Sequence, residues 1–264
     1  MMVRTMVTIG PNSCSPEDVK KFSQFTNIFR LNGSHSDVIW HQNAVKIIRE
    51  TCDNAFILMD IPGIKPRTAN TYSENISNGD VITFGIKKNN DKIRCMKLTK
   101  ELPDYDQNIK NFSLNDGQFL FDVTEVGQGY ITGRAKESFN LLPRKGINLP
   151  GSNYDEQKQE VIYRNFIENI SSMDIDALGL SFVQTGDLVE AIRKKFPKFL
   201  LISKVENSEG LKNVESIAKV SDAVMIDRGD LGAEVGELTF DIVKAPFVED
   251  EYDGVAATVN GILK

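Results

Sequence analysis

Residues 199–232 read FLLISKVENSEGLKNVESIAKVSDAVMIDRGDLG, and this stretch decides the fold class. An apolar run at 199–205 leads into an amphipathic stretch at 209–220 and then a second apolar run at 223–226. Neither run alternates polar with apolar residues, so both of its faces are covered. That is the pattern of parallel strands joined by helices. Each run also ends in charged or amide residues: Lys204, Glu206 and Asn207 after the first, Asp227, Arg228, Gly229 and Asp230 after the second.

The same alternation extends outward in both directions. Upstream lie a helical stretch at 154–172, a strand at 177–182 and a helix at 186–196. The chain begins with strands at 4–9, 27–31 and 55–60. Ser15-Pro16-Glu17-Asp18 supplies an N-cap, a proline at the first helical position and acids in the first turn. A long amphipathic helix is expected over 36–52. Between 68 and 142 the texture changes to β-prone runs at 81–86, 119–126 and 130–135, separated by polar turns such as Ser77-Asn78-Gly79-Asp80, Lys88-Asn89-Asn90-Asp91 and Asn115-Asp116-Gly117. The expected architecture is α/β, an incomplete TIM-type β/α barrel of six parallel strands with a small all-β lid domain inserted. Residues 1–68 form the first part of the barrel, 69–142 the lid and 143–264 the second part. The segment 255–263 reads as one further helix or strand.

Composition narrows the partners. A formal net charge of −6 leaves no overall positive field for nucleic acid or a membrane surface. Cys14, Cys52 and Cys95 are odd in number and form no CxxC pair, which suits a reducing compartment. No apolar run reaches the roughly 20 residues needed to cross a bilayer. The expected location is the cytoplasm. Neither GxxxxGK[ST] nor GxGxxG occurs, which argues against a P-loop or Rossmann nucleotide site.

In a β/α barrel, chemistry collects at the C-terminal strand ends. Glu206 and Asp230 end adjacent parallel strands, about 4.8 Å apart. The pair could share a hard divalent cation, or each could be neutralised by Lys204 and Arg228. Lys204 lies two residues before Glu206 and so points the same way, toward a transferring phosphoryl group or an enolate oxygen, or only toward Glu206. Arg30 offers a planar fork for phosphate from a buried strand. Asn32, Ser34 and Asp60 supply oxygens for a cation, or serve as turn and cap residues. Gly229-Asp230 could form a small anion nest or a plain turn. Arg144-Lys145-Gly146 could grip phosphate or link the domains.

Seven stretches carry a resemblance: VTIGPNS (7–13), FRLNGSH (29–35), LMDIPGIKPRT (58–68), LPRKGINLPG (142–151), LSFV (180–183), ISKVENSEG (202–210) and VMIDRGDLGAEV (224–235). In order and spacing they are similar to the pyruvate kinase family. The resemblance implies phosphoryl transfer from phosphoenolpyruvate to ADP, giving pyruvate and ATP. It implies Mg2+ or Mn2+ on Glu206 and Asp230, with Lys204 and Arg30 catalytic and Gly229, Asp230 and Lys204 binding the substrate. Asn32, Ser34 and Asp60 match its monovalent-cation site. Arg30, Asn32, His35, Arg67, Lys145 and the lid residue Asp116 match its nucleotide contacts.

The chain departs from the family pattern in three places. Lys65 stands where potassium-dependent members carry glutamate, beside Ile61 and Pro62, so Lys65 is expected to join the Asn32, Ser34 and Asp60 site and make K+ dispensable. Gln184 replaces an arginine, and Asp227 replaces a small residue. Residues 240–264 do not match, and on this reading the chain is a short member without strands seven and eight, the threonine-bearing loop or the regulatory domain. Such an open array invites a homo-oligomer. The alternatives are another phosphoenolpyruvate or pyruvate enzyme (a lyase, aldolase or condensing synthase) and an inactive binding protein.

Overall fold

The computed structural model describes residues 5–86, 93–235 and 255–258. The polar turn at 88–91, and all of 240–264 except 255–258, lie outside the described residues. The chain opens with β1 (Met6–Ile9), α1 (Pro16–Phe22), β2 (Ile28–Asn32), α2 (Val38–Thr51) and β3 (Phe56–Ile61). Ser15 caps α1 by accepting the Asp18 amide at 3.1 Å, and Asp37 caps α2 by accepting the Trp40 amide at 2.8 Å.

The chain then leaves for the inserted sheet: β4 (Glu74–Ile76), β5 (Val81–Gly85), β6 (Arg94–Lys97), β7 (Asn111–Leu114), β8 (Phe119–Gly127), β9 (Tyr130–Ala135), β10 (Phe139–Leu141) and β11 (Ile147–Asn148). Six of these strands form one sheet in the order β11-β7-β8-β9-β5-β6, and β10 pairs with β4. Its core is aromatic. Phe84, Phe112 and Phe121 meet with ring centroids 5.1–5.5 Å apart, within the range that favours edge and stacked pairs. The outgoing and returning chains run side by side. Arg67 bridges Gly146, the Thr68 amide donates to Lys145 O at 2.8 Å, and the Ile147 amide donates to Pro66 O at 3.1 Å.

After the return come α3 (Glu156–Ile170), β12 (Ala177–Leu180), α4 (Gly186–Lys195), β13 (Leu200–Val205), α5 (Ser208–Lys212), α6 (Val214–Val220), β14 (Ala223–Asp227), α7 (Arg228–Val235) and β15 (Val255–Thr258). The main sheet is parallel in the order β1-β2-β3-β12-β13-β14-β15, an incomplete TIM-type barrel. Three sequence expectations need correction here. The sheet has seven described strands, not six, because Val255–Thr258 pairs with β14 in the register Val224↔Val255. The single helix expected at 209–220 is two, broken at Asn213, whose Nδ2 donates to Gln184 O at 2.9 Å. The Gly229-Asp230 nest is instead the first turn of α7.

Alternation along the strands sorts side chains to two faces. Phe29, Leu31, Ile57, Met59, Leu178, Leu180, Leu201, Val205, Val224 and Ile226 pack with α2, α3, α4 and α6 in the large core. Burying such side chains contributes about 1.5–3 kcal/mol each. The intervening residues face the concave side. There Leu58, Ala177, Ile202 and Met225 form a second apolar layer, flanked by Met6, Phe56 and Ala223. One pleat further toward the C-terminal ends, the same face carries Thr8, Arg30, Asp60, Gly179, Lys204 and Asp227. The strand register pairs Arg30 with Thr8 and Asp60 with Gly179 within this layer. The polar layer therefore rests on an apolar floor.

Candidate active site

Lys204 stands at the centre of the polar layer. Its Nζ lies 2.7 Å from Glu206 Oε1, 3.2 Å from Asp60 Oδ2, 3.7 Å from Asp227 Oδ2 and 3.3 Å from Ser181 Oγ. Lys204 is only 4% exposed. Burial alone would lower the ammonium's pKa, but Asp60, Glu206 and Asp227 outweigh it and hold Lys204 protonated. One ammonium cannot neutralise three acids. Burial, with the charges of Asp227 and Asp230, pushes Glu206 up to about 8 although Lys204 opposes it.

Arg30 clamps Asp60. Its Nε donates to Asp60 Oδ2 at 2.8 Å, a second nitrogen donates to the same oxygen, and Nη1 donates to Thr8 Oγ1 at 3.2 Å. Burial would raise the Asp60 pKa, but Lys204 and Arg30 bring it below the usual carboxylate range. Its other oxygen, Oδ1, is buried without a hydrogen-bond partner. Gly179 leaves the room for it, since a Cβ there would lie 2.3 Å from Oδ1. Glu206 Oε2 accepts the amide of Phe182 at 2.8 Å. Phe182 holds a left-handed backbone, φ 62°, which costs a residue with a Cβ roughly 1–2 kcal/mol.

A second charged group joins the inserted sheet to the barrel. Lys65 Nζ ion-pairs with Asp230, lies 3.1 Å from Asn148 Oδ1 and reaches lid residue Asp116 at 3.3 Å. Asn148 Nδ2 also donates to Asp230 Oδ1 at 3.0 Å. Burial would raise the Asp230 pKa, but Lys65 and these donors draw it down to about 2. Burial, reinforced by Asp230, raises that of Asp116. Asn115 and Asp116 both hold φ 55°, followed by Gly117 at 87°, so a tight left-handed turn carries Asp116 onto the barrel mouth. A Cβ on Gly117 would touch Ala233 of α7 at 3.3 Å.

A cationic rim borders these groups. Arg67 Nη1 donates to Arg144 O at 3.2 Å, and Arg144 itself is left-handed at φ 62°. Burial, together with Arg67, Arg144, Lys145 and Arg30, holds the His35 imidazole below its usual range. His35, Arg67 and Lys145 therefore share one electropositive neighbourhood.

The structure brings Arg30, Asp60, Lys204 and Glu206 together, and it sets Asp230 in the neighbouring cluster with Gly229 ahead of it on α7. It does not bring Lys65 to Asn32, Ser34 and Asp60: Asn32 Oδ1 accepts the Ser34 amide at 3.0 Å, Asp60 is held by Arg30 and Lys204, and Lys65 goes to Asp230. Sequence reasoning missed Asn148, Ser181 and Thr8. Only the last two carry a signal, since each falls on the concave parity of its strand. Gln184 is structural. Its Oε1 accepts the Asn207 side chain and the Tyr154 amide, both at 2.8 Å. Among the described residues, no three His, Cys, Asp or Glu side chains converge into a metal-ligand cluster.

Comparison with known proteins gives a consistent answer. The family model described as "Pyruvate kinase, barrel domain" matches residues 2–249. A pyruvate kinase of Thermotoga maritima is 29% identical over 263 residues, covering 94% of this chain and 55% of its own length. One from Clostridium perfringens is 30% identical over 252 residues, covering 88% and 52%. The cytosolic isozyme of Nicotiana tabacum is 31% identical over 259 residues, covering 88% and 49%. The chain thus spans about half the length of the curated relatives it matches.

Proposed function

The chain belongs to the pyruvate kinase family, and on that footing we propose that it is a cytoplasmic phosphotransferase that moves the phosphoryl group of phosphoenolpyruvate to ADP, giving pyruvate and ATP with Mg2+ or Mn2+ as cofactor.

The observation that carries this reading is the charge balance of the site. Among the described residues, Asp60, Glu206, Asp227, Asp230 and Asp116 are five carboxylates set against three cations, Arg30, Lys204 and Lys65, a formal excess of two negative charges with every group ionised, and the raised pKa of Glu206 reflects that excess. The unpartnered Asp60 Oδ1 belongs to the same set. A divalent cation fits that deficit. Mg2+ needs only one or two protein carboxylates, so two acids of this set suffice for it. Glu206 and Asp230 would hold it, and once bound it supplies charge neutralisation for the phosphoryl group.

The remaining roles fall to the chain's own groups. Phosphoryl transfer depends on positioning and charge more than on covalent chemistry. Lys204, held protonated, faces the enolate oxygen and the phosphoryl oxygens. Arg30 presents its fork to the phosphoryl group, and the amides of Gly229 and Asp230 receive the substrate carboxylate. Arg67, Lys145, His35, Asn32 and Arg30 meet the nucleotide phosphates, and Asp116 closes with the lid to exclude water.

Phosphorus NMR tests the reading directly. The protein is incubated with phosphoenolpyruvate, Mg2+ and either ADP or a panel of sugar-phosphate aldehydes. Formation of ATP supports the kinase. Free phosphate with a new keto acid replaces it with a condensing enzyme, and an unchanged spectrum leaves a binding protein. Lys65 does not reach Asn32, Ser34 and Asp60, but its buried ammonium already supplies a fixed positive charge at Asp230, so turnover is expected to persist when tetramethylammonium replaces all K+ and Na+. An absolute K+ requirement rules that out.

A further inference from the structure

Asp227 ends β14 and touches two donors at once. Its Oδ1 accepts the Gly229 amide at 3.2 Å, and its Oδ2 lies 3.7 Å from Lys204 Nζ. The residue is 8% exposed, so water does little to screen its charge. One account makes it simply the N-cap of α7, a role that aspartate fills well. That account explains the first contact. It does not explain why the cap is a carboxylate directed at a lysine already matched by Glu206 and Asp60. Asparagine or serine would cap equally well without it.

The Gly229 amide is also one of the two amides that the proposed function assigns to an incoming carboxylate, with Lys204 facing the enolate beside it, and the inference rests on that reading. Asp227 is thus a carboxylate already installed where a ligand's carboxylate must arrive. A ligand acid brings another negative charge into a partly buried cluster that already has an excess of them, and like charges a few ångströms apart repel strongly there.

We propose that Asp227 is the specificity-determining residue of this site, a resident carboxylate that a ligand carboxylate has to displace from the Gly229 amide, so that the chain binds small carboxylic acids weakly. No other side chain described at α7's first turn competes for that amide.

Isothermal titration of the full 264-residue chain with oxalate in the presence of Mg2+ provides the test. Asp227→Asn keeps a capping oxygen and removes the charge, so it separates competition from helix capping; Asp227→Ala removes both. The expected result is oxalate binding at least about tenfold tighter in Asp227→Asn than in the unaltered chain. Equal or weaker binding by Asp227→Asn, while the unaltered chain binds, overturns the inference and leaves the proposed function standing. Binding by none of the three proteins overturns the carboxylate-site reading, and the inference with it. Mn2+ affinity, read in parallel by electron paramagnetic resonance, guards against a different role. If Asp227→Asn loses Mn2+ and oxalate affinity in step, Asp227 is a cation ligand rather than a competitor.

Discussion

Gly179 shows how narrowly single residues constrain the charged layer. Its register partner Asp60 sits directly across from it, and a Cβ would come within 2.3 Å of Oδ1. Asp60 can give way only by losing the contacts that Arg30 and Lys204 make to its other oxygen. Gly179→Ala is therefore expected to destabilise the fold by about 1–3 kcal/mol, as overpacking does. It should also displace Asp60 and lower phosphotransfer sharply. Urea midpoints and ATP formation measure the two effects; an unchanged midpoint with full turnover would mean that Asp60 has room to move. Gly146 plays the same part for Lys65, whose Cε would lie 2.5 Å from an added Cβ.

Among the elements, α7 depends on a titrating contact. Glu234 near its C-terminal end accepts a hydrogen bond from Ser152 Oγ and one from the Ser208 amide at 3.2 Å, tying α7 to the start of α5. Burial, against the pull of those hydrogen bonds, raises its pKa from 4.5 to about 7. The folded state therefore binds this proton more tightly than the unfolded chain does. The stabilisation is complete below about pH 4.5 and is lost as pH rises toward 7, an effect on the order of 3 kcal/mol. Glu234→Gln keeps an acceptor for the Ser208 amide and a donor toward Ser152 without the charge. Its thermal midpoint should fall less than that of the unaltered chain between pH 5 and pH 8; parallel curves would show that Glu234 is not the titrating group. The sequence did not announce α7 at all. Its opening, Arg228-Gly229-Asp230, has the composition of a turn, and only the cap from Asp227 turns the chain directly into helix. The main strands were legible because continuous apolar runs can be buried on both faces. The short strands β4, β6, β10 and β11 run two to four residues, too few to show any period. Within the site, Arg30, Lys204 and Glu206 could be found from strand parity. The partners of Lys65 could not, because Asp230, Asn148 and Asp116 lie on three segments far apart in the sequence.

On the scale of the whole molecule, lid and barrel are joined by charge across their boundary. Lys65 is buried between Asp230 of the barrel and Asp116 of the lid, and Asp116 comes within 3.5 Å of where a Cβ on Gly229 would stand. Replacing Lys65 with methionine leaves Asp116 and Asp230 facing each other without a cation. Like-charge repulsion between them should then part the lid from α7. Small-angle scattering is expected to show a larger radius of gyration for Lys65→Met, reversed by Lys65→Met combined with Asp116→Asn. Identical scattering from all three proteins would mean that the lid is held by its aromatic and backbone contacts alone.

The paired crossing at Arg67 and Gly146 has a mechanical consequence. Two strands pinned to each other by backbone hydrogen bonds behave like the leaf of a door, not like a ball in a socket. Swinging about the line through both crossings strains neither of them, whereas twisting shears the bonds that join them. Once the Asp104–Asn153 bridge and the Lys65–Asp116 pair are released, that line is the axis this pairing favours, and rotation about it would carry Asp116 toward or away from the charged layer.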